Sequence, residues 1–388
     1  MDEAGSEHLE RARRLAPEIA AFAERIEAER LLPAELLALL HEAGLYRLLL
    51  PRSLGGAELD PRRFVEIIET IAKADASTAW CLCQAAGCSM VAAFLKPAVA
   101  AEIFGNKRAI LAWGPGPARA VAGDGVYRLS GNWSFASGGR HASWLGGQAP
   151  VFEADGTPRL GADGQQAVRT LLFPAERAAM TDIWRVIGLR GTASDAYSVS
   201  DLVVAHDYSV ARDDQAERRE KGPLYWFPTS SVYAAGFGGV ALGIARAALD
   251  AFIDLAANKT PRGFRHALRD NAVVQSEVAR AEARLLSSRL FLLHSLDEIW
   301  REVVRADTLT IAQRMRIRLA ATFAIGEATA VGDTAYHAAG ATAIFQSNGF
   351  ERRFRDIHTV AQQVQGRAAH FETVGGFLLG LEPAILFL

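Results

Sequence analysis

The segment STAWCLCQAAGCSMVAAFL, residues 77–95, constrains the fold more than any other stretch of this chain. At helical spacing it is apolar on nearly all sides, and a helix of that kind needs protein around its whole circumference. No uninterrupted apolar run of about 18 residues occurs, so burial within protein rather than within a membrane is expected. The chain must therefore supply several more helices to cover this one. The preceding residues read that way. HLERARRLAPEIAAFAERIEAERLL, PAELLALLHEAG and PRRFVEIIETIAKAD carry apolar residues three and four apart. Pro33 and Pro61 stand at helix starts, Gly44 fits a helix stop, and Ser77, after Asp75, reads as the N-cap of the central helix. Residues 1–108 are expected to form a helical domain.

The texture changes near Ala109. AILAWG, GVYRLSGNWSF, SWLGGQAPVF, AVRTLLFP and DAYSVSDLVVA are short β-rich runs separated by Gly, Asp and Pro turns, the spacing of a small barrel or sandwich. SVSDLVVA alternates in face as a half-buried strand should. This β segment is assigned residues 109–212, with a barrel as the expected form. After the polar linker ARDDQAERREKGP, long helices rich in Ala and Gly return over 213–388, suited to a four-helix bundle or to contacts between subunits. With 388 residues, a multi-domain α+β chain of three parts is a natural size.

Composition narrows the function classes. A net charge of −2 with 22% charged residues gives no basic excess toward nucleic acid or an anionic membrane. The charged, acidic start does not have the form of a signal peptide, and a cytoplasmic location is the expectation. Cys81, Cys83 and Cys88 have the spacing C-x-C-x4-C with no Cys–His set to complete a zinc site. They read as small apolar side chains of a buried helix, with no metal expected.

Six segments in order carry a resemblance: LLPAELLALLHEAGLYRLLLPRSLGG (31–56), ADASTAWCL (74–82), LSGNWSFASGGRHASW (129–144), WRVIGLRGTASDAYSVSDLVV (184–204), GGVALGIARAALDAF (238–252) and FERRFRDIH (350–358). Together they resemble the acyl-CoA dehydrogenase fold, and within it the flavin-dependent monooxygenases that receive reduced flavin from a separate reductase. The resemblance implies a helical domain, a β domain and a bundle, assembled as a homotetramer. It also implies reduced FMN, with FAD possible, an NAD(P)H:flavin reductase as partner, and O2 with a small-molecule substrate. Trp133, Ser134, Phe135 and Ser137 would lie on the strand that passes the flavin ring, with Ser137 near its N5 side. Trp113 and Gly114 would belong to a loop over the ring, and Arg262 would meet the cofactor phosphate across a subunit boundary.

The same resemblance separates two chemistries. A dehydrogenase needs a carboxylate to take the substrate's α-proton; the two positions where such enzymes carry it align with Val364 and Tyr233. Phenol-hydroxylating relatives often carry histidines where this chain has Cys88 and Gln363. The residues thus favour an oxygenase on a small aromatic, heteroaromatic or N/S-containing substrate. The alternatives are a dehydrogenase or oxidase with a base from elsewhere, and a catalytically silent binding protein. Trp80, Cys88, Tyr233 and Gln363 are candidate pocket walls; Ser137, Gln363 and His358 are candidate catalytic groups, although a lone His358 also suits a structural contact. Arg355 and Asp356 read as an ion pair. His141 could face inward or outward, and His370 could sit at a subunit contact.

Overall fold

Asp60 ahead of Pro61 starts the first deeply buried helix, its carboxylate accepting Arg63 N–H at 2.9 Å. The structure, a computed structural model, describes residues 3–161 and 164–383; the outer ends of the first and third expected segments lie outside the described residues. Six helices come first: α1 Glu3–Ala21, α2 Ala23–Glu29, α3 Ala34–Glu42, α4 Pro61–Ala74, α5 Ala76–Ser89 and α6 Pro97–Phe104. The central helix is α5, in which every residue except Gln84 is buried. Asp75, not the expected Ser77, is its N-cap. The Asp75 carboxylate accepts both the backbone N–H and the hydroxyl of Thr78 at 2.7 Å, a stronger acceptor placed one turn ahead.

Eight strands follow: β1 Leu111–Trp113, β2 Ala118–Ala122, β3 Val126–Ala136, β4 Trp144–Phe152, β5 Val168–Pro174, β6 Ala179–Thr181, β7 Asp195–Ala205 and β8 Ser209–Val210. They pair in the order β6-β7-β3-β2-β4-β5-β8, with β1 beside β4. Among the described residues β6 and β8 do not pair, so the expected barrel is instead an open sheet. Edge strand β6 has three exposed residues, too few to carry the hydrogen bonding round. Leu129, Trp133 and Tyr197 from one half of the path share a core with Leu145, Leu171 and Phe173 from the other.

The chain then re-enters helices: α7 Thr229–Asn258, α8 Ala272–Ala306, α9 Ile311–Ala339, α10 Phe350–Gln362 and α11 Ala369–Leu378. The first six helices do not close on a core of their own. Ile68 and Ile71 of α4 and Leu82 of α5 lie in one apolar cluster with Val240 and Ile244 of α7, Leu292 of α8 and Ile325 of α9. Helix α5 is apolar all round, and its cover is completed by β1, the turn before β7 and helix α7 from later in the chain. Among the described residues no helix is long and apolar enough to cross a membrane.

Two side-chain readings change here. Arg355 does not pair with Asp356; it pairs with Glu27 at 2.7 Å and Glu351 at 2.6 Å, while the buried Asp356 accepts Leu189 N–H at 2.6 Å. Neighbours on a helix point about 100° apart, so adjacent charges diverge. His370 is buried against its own chain, its ring N–H donating to Val364 O at 2.6 Å.

Candidate active site

The site is built where α5, the end of β3, the turn before β7 and the start of α7 meet. Strand alternation carries Trp133 into the β core: it is fully buried, stacks on Tyr197 at 5.2 Å between centroids and donates to Gln148 O at 3.1 Å. The expectation that Trp133 faces a cofactor therefore changes. The pairing of β3 with β7 slips between Trp133 and Ala136, a β-bulge. There Phe135 takes φ +58 and turns outward, 60% exposed. Ser134 is half-buried beside it, and its carbonyl leaves no room over Gly114, where a Cβ would fall 1.8 Å from Ser134 O.

Past the bulge, Ser137 is buried in a run of hydroxyls. Trp80 Nε1–H donates to Ser137 Oγ at 2.9 Å, Ser137 Oγ lies 2.7 Å from Ser194 Oγ, and Ser194 Oγ lies 2.7 Å from Thr192 Oγ1. Thr192 donates its hydrogen to Leu189 O at 2.9 Å. Each hydroxyl has one hydrogen to give. Since Thr192 has given its own, Ser194 donates to Thr192 and Ser137 donates to Ser194. The chain runs one way, and Ser137 keeps one acceptor lone pair uncommitted.

A ladder of rings leads away from Ser137. Trp80 stacks on Phe237 at 3.9 Å, and Phe237 on Tyr233 at 5.6 Å. Tyr233 lies flush against α5 because residue 87 is glycine; a Cβ there would stand 2.3 Å from the tyrosine ring. At that far end Tyr233 Oη donates to Gln84 O at 3.1 Å and meets Cys88 Sγ at 3.3 Å, while Gln84 Nε2–H donates to Trp113 O at 3.4 Å. Burial pushes the Cys88 thiol up to about 12 and the Tyr233 phenol well above its usual range. Both groups are neutral near pH 7, and no carboxylate takes part in these contacts.

Outside the hydroxyl run lies an uncovered apolar shelf. Phe135 meets Trp184 edge-on at 6.0 Å, and Ile187 and Met180 are 66% and 40% exposed. The clefts lined by Arg280 and His337 (about 350 Å³) and by Lys73 and Arg246 (about 500 Å³) have charged rather than aromatic walls.

The structure thus brings Ser137, Trp80, Tyr233, Cys88 and Trp113 together. Gln363 and His358 are engaged elsewhere: Gln363 Oε1 accepts Gln365 N–H at 2.7 Å, and His358 Nε2 lies 2.8 Å from the Asp333 carboxylate on α9. His358 has the partner that a structural role requires. His141 is half-buried, and desolvation lowers it to about 4. Arg262 is exposed in the turn after α7. Sequence reasoning missed Ser194, Thr192 and Phe237. The signal for the first two was present in GLRGTASD, where two hydroxyls two residues apart follow a Gly turn.

Residues 4–104 match the family described as "Acyl-CoA dehydrogenase, N-terminal domain", and residues 235–366 match "Acyl-CoA dehydrogenase, C-terminal domain". An indole-3-acetate monooxygenase of Pseudomonas putida is 31% identical over 88% of this chain and 85% of its own length. The flavin-dependent monooxygenase oxygenase subunit HsaA of Rhodococcus jostii is 26% identical over 90% of this chain and 92% of its own. Among solved structures, XiaF from Streptomyces sp., in complex with FADH2 and glycerol, superposes with a TM-score of 0.91 at 24% identity, covering 100% of this chain and 98% of that one.

Proposed function

The chain belongs to the acyl-CoA dehydrogenase family, and from that premise we propose that it is the oxygenase component of a two-component flavin-dependent monooxygenase. Its substrate is a small aromatic or heteroaromatic compound, or one oxidised at nitrogen or sulfur. The observation that carries this reading is an aromatic ladder and a directed hydroxyl chain with no carboxylate among their contacts. α-Proton abstraction needs a base of suitable pKa at the site. The two aligned positions hold Tyr233 and Val364, and neither is such a base.

The residues present fit a flavin. A flat apolar ring suits the uncovered shelf of Phe135, Trp184 and Ile187, and its polar edge suits a hydroxyl with a spare lone pair. When bound, reduced FMN or FAD supplies the electrons that activate O2. Phe135 would wall the ring, and Ser137 Oγ would accept a ring N–H, because its own hydrogen is committed to Ser194. Trp113 and the close-packed backbone at Gly114 would limit water entry, which such chemistry requires. Exposed Arg262 would meet the phosphate within a homotetramer. Phe237, Tyr233 and Trp80 would orient the substrate. An NAD(P)H:flavin reductase supplies the reduced cofactor, in the cytoplasm.

The test mixes the purified protein anaerobically with chemically reduced FMN or FAD, then admits oxygen with indole-3-acetate as the first substrate. Oxygenated product that needs only reduced flavin and O2 is the expected result. Flavin reduction by an acyl-CoA thioester, with no such product across aromatic acids, indoles and thioethers, overturns the proposal.

A further inference from the structure

Arg212 follows β8 in the stretch that the sequence presents as a polar linker. It is half-buried. Its guanidinium carbon lies 4.8 Å from the centroid of the Trp113 ring, and its Nε is enclosed with no hydrogen-bond partner. Its charge favours the ionised forms of both Cys88 and Tyr233. It therefore stands at the end of the aromatic ladder farthest from Ser137.

No carboxylate compensates this cation among the described residues, because the acidic side chains of its own segment are engaged. Asp213 accepts from Thr229 N–H at 3.0 Å and from its hydroxyl at 2.8 Å, at the start of α7. Asp214 accepts Ala216 N–H at 2.9 Å. Glu217 holds Arg169 through both oxygens, at 2.7 and 3.1 Å. Glu220 accepts from Ser53 at 2.5 Å. A partly desolvated, unpaired cation is costly unless an anion completes it. A planar fork of donors laid on an aromatic ring is suited to a carboxylate.

We propose that Arg212 is the substrate's carboxylate subsite, so that the enzyme takes an anionic aromatic acid with its ring along Trp80, Phe237 and Tyr233 and its acid group on Arg212. This rests on the monooxygenase reading for what happens to the ring, but not for the binding itself. A cofactor phosphate could engage the same donors. The ladder end at Cys88 and Tyr233, away from the hydroxyl chain and the exposed shelf, favours the substrate.

The test is made on flavin-free protein, by calorimetric titration at low ionic strength with indole-3-acetate and with its neutral amide, indole-3-acetamide. The wild type should bind the acid at least tenfold more tightly. Arg212→Met should abolish that preference while binding the amide within about twofold of wild type. Equal wild-type affinities, or a preference that survives in Arg212→Met, overturn the proposal. So does a variant that loses FMN relative to riboflavin yet still prefers the acid, since Arg212 then serves the cofactor phosphate. The acid–amide comparison in the wild type needs no variant to fold and no flavin chemistry. Failure of the monooxygenase reading would instead appear in the oxygen experiment above.

Discussion

The one-way hydroxyl chain can be tested by asking whether Ser137 and Ser194 contribute independently. Ser137→Ala removes the acceptor of Trp80 Nε1–H, a group on a side chain only 7% exposed. A buried donor left without a partner costs about 1–3 kcal/mol. Ser194→Ala removes the acceptor of the Ser137 hydroxyl, stranding a second buried donor at a similar cost of about 1–3 kcal/mol. In the double variant the Ser137 hydroxyl no longer exists, so the second loss is not incurred. The double variant should therefore be more stable than the sum of the singles by about 1–2 kcal/mol, within the range seen for residues sharing one network. The assay is urea denaturation of the four flavin-free proteins followed by tryptophan fluorescence. Additivity within about 0.5 kcal/mol would refute the chain as described, because it would mean that neither serine depends on the other for a partner.

Three further perturbations follow from the geometry. Gly87→Ala drives a methyl into the Tyr233 ring and should cost about 1–3 kcal/mol by overpacking; unchanged urea stability would show that the ring moves freely. Phe135→Gly relieves a left-handed backbone worth about 1–2 kcal/mol and loses the edge contact with Trp184. Stability should stay within about 1 kcal/mol of wild type while reduced-flavin affinity falls at least tenfold, and unchanged affinity would mean the ring does not meet the cofactor. Burial, with Asp75 and Glu27 adding to it and Arg352 opposing, pushes the Asp356 carboxyl up to about 7. The folded state then holds that proton more tightly than the unfolded chain, so its contribution is lost as pH rises from roughly 4 through about 7. Asp356→Asn keeps an acceptor for Leu189 N–H and should remove that decline. Parallel stability–pH curves for wild type and variant would exclude the assignment.

Much of the helical architecture was legible because period and punctuation agree: the apolar run at 77–95 demanded cover, and Asp60-Pro61 marked a start. The β-rich texture was equally plain, but closure into a barrel depends on edge strands such as β6, whose three residues carry no pattern. Both Trp133 and Phe135 are expected from the sequence to face the cofactor, and they part to opposite sides for a local reason. Strict alternation predicts which side chain faces in, and one bulge shifts every residue after it. Ser137, Trp80, Cys88 and Tyr233 were legible through the resemblance, since each lies in or beside a quoted segment. Arg212 was not, because a cation in a charged stretch looks solvated until the neighbouring carboxylates are seen to be engaged elsewhere.

The shared apolar cluster of the helices also sets an order of events during synthesis. The β segment has its own core, from Ala112 to Val204, and can close as soon as that stretch leaves the ribosome. Helix α5 emerges earlier, yet its partners on α7, Tyr233 and Phe237, emerge only after the whole β segment. For well over a hundred residues of translation the greasy face that α7 covers waits beside a finished sheet. Production of this protein should therefore respond more to holdase chaperones and slowed translation than to added cofactor.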